Sequence, residues 1–216
     1  MKNKVLFASV LAFPLIVAAQ DGEADGSGTY ARFGAGIAIV EDIEGFVDTV
    51  FEPRLDYELN LDPGVRVDFA PGYNFNHYFG VELNTGFVWN SIDSIELEDG
   101  RRGRAEGDLL QIPMMGSVVL RVPTPIQLTP FVGAGAGGAY VRLENDDSDE
   151  AGDDFFAAFQ FFGGVKYEID EVLSVGMVYK YMHVFSEDEE TIFTGESAGL
   201  GDLTTHSISA IVSFNF

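Results

Sequence analysis

The residues of this chain that could do chemistry fall into a few groups. The densest is the acidic run ENDDSDEAGDD at residues 144–154. Closely spaced carboxylates are the hard oxygen ligands that Ca²⁺ and Mg²⁺ take. Glu144, Asp146, Asp147, Asp149 and Glu150 form the best ligand set in it. The run departs from the EF-hand template, because Ala151 stands at a ligand position and no Glu closes the loop. Metal held there would be bound weakly and in irregular geometry, and no other cofactor is implied. His206 precedes Ser207, and His183 lies upstream; an imidazole beside a hydroxyl suggests hydrolysis. A catalytic triad also needs an oriented acid and an oxyanion site, and the sequence specifies neither. No catalytic residue is assigned, and the chain is expected not to be an enzyme. GAGAGG at residues 133–138 matches a dinucleotide fingerprint, but that motif needs a helix directly after it. YVRLENDD follows instead, with no helical period. RRGR at residues 101–104 is the one basic patch outside the regular segments, and it sits among acids that can pair with it.

The last group is scattered: Arg32, Arg66, Asp68, Glu82, Arg121, Lys166, Glu168 and Lys180. Each alternates with large apolar residues, beside glycine or serine. To see what positions them, the periodicity must be read. A membrane-crossing strand takes about 9–11 residues, with apolar lipid-facing positions alternating with small or polar interior ones. Segments of this kind occupy about residues 30–40, 64–75, 79–90, 108–122, 129–143, 154–168, 173–184 and 203–216. In the first, Phe33, Ile37 and Ile39 oppose Arg32, Gly34 and Gly36. In the third, Phe79, Val81, Leu83, Phe87 and Trp89 oppose Glu82, Asn84 and Asn90. In the seventh, Met177, Tyr179 and Tyr181 oppose Ser174 and Lys180. Both faces of the fifth are small, so its phase is open. Pro71 and Pro113 fall inside segments, and Pro71 suggests an edge or a bulge.

The connections alternate between short (76–78, 123–128, 169–172) and long (41–63, 91–107, 144–153, 185–202). Short turns on one side of a membrane and long loops on the other are the pattern of outer-membrane barrels. The expected fold is all-β: an eight-stranded antiparallel up-and-down transmembrane β-barrel. Closure is required, since an open edge in lipid would leave backbone groups unpaired. A soluble sandwich or lipocalin-like barrel would bury its apolar face; here the charges take the inner face.

The N-terminus carries Lys2 and Lys4, an apolar run over residues 5–17, and small residues at 17–19. This is the layout of a secretory signal peptide. The expected organisation is therefore a signal peptide at 1–19, a short periplasmic segment at 20–28 and the barrel at 29–216. Cysteine is absent, which excludes thiolate chemistry and disulfides. The formal net charge is −23. That disfavours nucleic acid, which needs clustered Lys and Arg. Residues 41–62, 91–108, 144–154 and 186–202 carry eight, six, seven and six acids, 27 of the 35 in the chain. The external face is thus expected to be strongly anionic. Divalent cations bridging these loops to lipopolysaccharide are one consequence to test.

PGYNFNHYFGVELNTG (71–86), TPFVGAGAG (129–137), GGVKYEIDEVLSVGMVYKY (163–181) and SISAIVSFNF (207–216) resemble the small outer-membrane β-barrel superfamily. Its members include the OmpA transmembrane domain, OmpX, OmpW-like proteins and opacity-type porin relatives. The resemblance implies the outer membrane of a Gram-negative bacterium, and outer-membrane lipid and lipopolysaccharide as surroundings. It also implies that Ile208, Ala210, Val212, Phe214 and Phe216 form the signal read by the barrel-assembly machinery. Function follows less directly, because the fold hosts several roles. The leading expectation is a structural and surface-interaction protein whose acidic loops meet an extracellular ligand of unknown identity. The alternative is a narrow porin-like channel for small ions or small apolar solutes, lined by Arg32, Glu82, Lys166 and Lys180. A lipid A-modifying hydrolase is the remote third. An eight-stranded interior is just wide enough for side chains to fill, so a plugged lumen is expected, with a salt-bridge gate of Glu82 and Arg66 or Lys180 as its functional variant.

Overall fold

The computed structural model describes residues 26–41, 43–49, 52–97, 102–145, 152–186, 190–192 and 196–216. They form twelve strands and, among the described residues, no helix: β1 Gly28–Val40, β2 Ile43–Thr49, β3 Glu52–Leu61, β4 Gly64–Asn74, β5 Phe79–Leu97, β6 Arg102–Arg121, β7 Leu128–Asn145, β8 Gly152–Glu168, β9 Leu173–Val184, β10 Glu190–Ile192, β11 Glu196–Leu200 and β12 Leu203–Asn215. Eight of them, β1, β4, β5, β6, β7, β8, β9 and β12, close into an antiparallel barrel. The seam is the ladder between β1 and β12, running from Tyr30 opposite Asn215 to Val40 opposite Thr205.

Alternation explains why these segments become strands. Ile37 is 62% exposed and Leu83 67%, and Phe33, Trp89, Met114, Phe161, Met177 and Ile208 are exposed with them. Arg32, Arg66, Glu82, Gln111, Gln160 and Lys180, of opposite parity, are buried inside. In water the outer face would be unfavourable; in lipid it is the required one. The short turns have local causes. Asn76 Oδ1 accepts from the amides of Tyr78 and Phe79, both at 2.8 Å. Asp170 Oδ1 does the same for Val172 at 2.8 Å and Leu173 at 2.7 Å. These Asx turns hold each hairpin without a long linker.

Three expectations are corrected. The long stretch after β1 is a β2–β3 hairpin rather than an irregular loop, and β3 pairs with the upper part of β5. β5, β6, β7 and β8 likewise run past their expected ends, so a sheet continues above the barrel. Pro71 produces no bulge: the β4–β5 register is the same on both sides of it, and only the pairs at residues 70 and 71 are missing from the ladder. The phase of β7 is fixed by packing. Phe131, Ala139 and Val141 point inward and are buried, while Val132 faces lipid. A Cβ on Gly133 would lie 2.2 Å from the ring of Phe162, and one on Gly135 2.1 Å from Ser117 Oγ. Glycine is what lets this strand approach the filled interior.

Candidate functional site: the lumen

The lumen is stacked in layers along its axis. At the periplasmic end, Glu82 accepts from Tyr30 Oη at 2.7 Å and pairs with Arg32 Nη2 at 2.5 Å. Arg121 Nη2 donates to Tyr30 Oη at 2.9 Å, and its guanidinium carbon sits 5.1 Å from the centre of that ring. The register shows how residues from distant strands meet. Tyr30 stands opposite Gly72, and Gly72 stands opposite Glu82. With no side chain between them, the phenol crosses to the carboxylate; a Cβ on Gly72 would be 2.5 Å from Tyr30 Cζ. Asn84 Nδ2 and Gln160 Nε2 extend the network by donating to Ser117 Oγ, both at 3.0 Å.

Beside this network packs an apolar group of Val119, Phe131, Phe162, Val178 and Ile211, with Phe131 opposite Arg121 and Val119 opposite Gly80 in the ladder. The Arg32 guanidinium is 5.2 Å from the ring centres of both Phe131 and Phe162. Cations over aromatic faces keep part of the stabilisation that water would give. Further towards the extracellular side, Asp68 Oδ1 receives Lys180 Nζ at 2.8 Å and Arg66 Nε at 2.9 Å. Above that, the interior is mainly apolar, with the buried Gln111 Nε2 donating to Thr205 Oγ1 at 3.2 Å and Asn90 Nδ2 to the carbonyl of Asp62 at 2.9 Å. Val40, Ile43, Leu109, Met115, Ala139, Val141, Ala158, Met182, Val184 and Leu203 pack together, with Leu61, Ile92, Leu143 and Phe156 against them.

Six of the eight charged side chains predicted for the lumen thus separate into two clusters. Glu82 joins Arg32, Tyr30 and Arg121; the expected partners Arg66 and Lys180 belong to Asp68 instead. The reason is register, since Asp68 lies two rungs further up the barrel than Gly72, opposite Glu82. Lys166 is partly buried, and Glu168 is exposed at the periplasmic mouth, where Thr129 Oγ1 donates to it at 2.8 Å. Tyr30 was not singled out from sequence, although it shares the parity of Arg32. Nor was the apolar top of the lumen, although Met182 and Val184 share the parity of Lys180.

The outer rim carries His183 and His206. His206 Nε2 is 2.8 Å from Glu41 Oε1, and its Nδ1 shares a hydrogen bond with Tyr179 Oη at 2.7 Å. His183 Nδ1 meets Thr204 Oγ1 at 3.1 Å, and its Nε2 is 3.3 Å from Asp202 Oδ2. Phe159 and Phe185 flank His183. This is the amphipathic ring band expected at a membrane interface. Ser207 points the other way and is buried in the lumen, so His206 and Ser207 do not form a dyad. A surface depression of about 530 Å³, lined by Val118, Leu120, Ala134, Phe161, Gly163 and Tyr179, is on the lipid side. Ile208, Ala210, Val212, Phe214 and Phe216 form one exposed row, and the amide of Phe216 donates to the carbonyl of Thr29 at 2.9 Å. Asp146, Asp147, Asp149 and Glu150 lie outside the described residues; for Glu144 only the backbone is described.

An all-β ring with lipid-compatible side chains outside and paired charges inside defines a class: the small barrels of the Gram-negative outer membrane. Residues 5–216 match the family described as the outer membrane protein beta-barrel domain, and the chain belongs to it. No curated protein matches the chain. Among solved structures, OprG from Pseudomonas aeruginosa is similar at 14% identity and TM-score 0.61, over 89% of this chain and 97% of that one. Neisserial surface protein A is similar at 13% identity and TM-score 0.54, over 89% and 100%. The Escherichia coli outer membrane protease OmpT is similar at 8% identity and TM-score 0.53, over 88% and 97%. At these identities the likeness is one of fold.

Proposed function

We propose that this protein is a closed, non-enzymatic outer-membrane scaffold whose acidic extracellular strands and loops make the surface contacts. The observation that carries this reading is the filled lumen. Paired charges around Glu82 and Asp68 and the apolar side chains packed beside them fill it, and Leu109, Met182, Val184 and Leu203 at the top are fully buried. A scaffold of this kind needs a stable wall and exposed connections, which is where interaction residues concentrate. Purified protein in planar bilayers should show no large, steady conductance. A conductance that persists under symmetric salt would favour the channel reading. That second reading has one observation in its support: the apolar top of the lumen suits a small apolar solute better than an ion.

The row ending at Phe216 is read here as the address for the barrel-assembly machinery. Phe216→Ser should lower the inserted fraction in cells by several-fold while leaving the external strands unaltered. Normal yield of inserted protein would remove the address reading and leave the barrel intact. Divalent cations held by the acidic external face, bridging it to lipopolysaccharide, form the remaining partner proposal. Calcium titration of the unfolding midpoint tests it.

A further inference from the structure

The middle polar layer of the lumen carries an unbalanced charge. Arg66 and Lys180, each 1% exposed, share the single carboxylate of Asp68. Phe162 stands opposite Lys180, Val178 opposite Ser209 and Ile211 opposite Gly34, so apolar side chains share the inner wall of this layer, and the apolar cluster around Met182 lies on its extracellular side. The acidic external face lies beyond that upper cluster, and Glu82 belongs to Arg32 and Tyr30 on the periplasmic side. Among the described residues, no second anion reaches the layer. A net charge buried in the protein interior is costly unless something compensates it.

The same layer holds unused donors. Arg66 Nη1, Ser207 Oγ and Ser209 Oγ are buried without a partner. Ser207 stands directly opposite Lys180 on the neighbouring strand. Ser209 and Arg66 flank Gly36, one on each side of β1. The unpartnered donors and the excess cation therefore share one patch of inner wall, made shallow by Gly34, Gly36 and Ala38. Asp68 Oδ2 and Gln160 Oε1 are buried acceptors without a partner. They suit water beside an ion rather than the ion itself.

We infer that this patch binds one small monovalent inorganic anion, of halide size, between Arg66, Lys180, Ser207 and Ser209. The anion completes the charge balance of the layer and is a structural part of the folded barrel. The inference holds whether or not the lumen conducts.

Arg66, Lys180, Ser207 and Ser209 are all buried, so the ion is best supplied while the barrel forms. Protein refolded from urea into detergent in sodium bromide, then crystallised, should show an anomalous bromine peak within hydrogen-bonding distance of Arg66 and a lumenal serine. Peaks only at surface arginines, or none, would overturn the site. In solution, the unfolding midpoint by far-ultraviolet circular dichroism should rise by about 5 °C from low to high sodium chloride, relative to sodium methanesulfonate at matched ionic strength. Two variants separate an anion site from general salt effects, because they shift its charge in opposite directions. Lys180→Met removes the excess cation and should abolish the chloride-specific rise. Asp68→Asn leaves two cations without a carboxylate and should steepen it. Equal chloride and methanesulfonate curves for wild-type protein, or the same chloride dependence in both variants, would refute the inference. If Asp68→Asn fails to refold in methanesulfonate but refolds in chloride, the inference is supported in its strongest form.

Discussion

The two ends of the lumen are held together by different physics. The periplasmic part is a set of buried charges whose worth depends on every partner being present. The extracellular part is an apolar plug, where each side chain contributes by filling space. Buried ion pairs are weak sources of net stability but strong sources of loss when one partner is deleted. Apolar packing is graded, with a cost set by the volume removed. The barrel thus combines an all-or-none region at its base with a tolerant one at its top.

Glu82→Leu should break the base most severely. It leaves Arg32 and the phenol of Tyr30 without their shared acceptor, at a cost of about 3–5 kcal/mol. Urea unfolding in lipid vesicles measures it. The paired change Arg32→Met with Glu82→Met should recover much of the loss, because it removes the orphaned charge as well. Met182→Ala, at the top, should cost about 2–3 kcal/mol by leaving a cavity. If it costs more than Glu82→Leu under the same conditions, the contrast between the two ends is wrong. The smallest effect belongs outside the lumen. His206→Ala deletes a partly exposed pair with Glu41, and exposed pairs are worth less than about 1 kcal/mol. A loss equal to that at Glu82 would mean that the rim, not the base, carries the electrostatics of this barrel.

The sequence shows the wall of the barrel better than its contents. Lipid outside and a polar interior force strict alternation, so Phe33 against Arg32 or Trp89 against Asn90 is enough to orient a strand. β7 escapes this logic because Gly133, Ala134 and Gly135 carry no contrast; its phase depends on Phe162 and Ser117 reaching in from neighbouring strands. The partner of Glu82 escapes it too. Alternation says that Glu82 points inward, but which cation it meets depends on Gly72 standing between it and Tyr30, and this is a matter of register. The strand extensions above the barrel lie hidden for a third reason. Their wall no longer meets lipid on one side, so the apolar rhythm that marks a membrane strand is lost while backbone pairing continues. Of the site residues, the inward-pointing ones could be named individually, whereas their division into two clusters needed the ladder.

The seam between β1 and β12 has a consequence in time. The first barrel strand can be sealed only by the last, since Tyr30 meets Asn215 and Phe216 reaches Thr29. Contacts between the two ends of a chain carry the greatest loop-closure delay, and a sheet bare at both edges is a hazard while it waits. The strand β12 must therefore be made before the barrel can close, and every earlier intermediate is an open sheet in search of that strand.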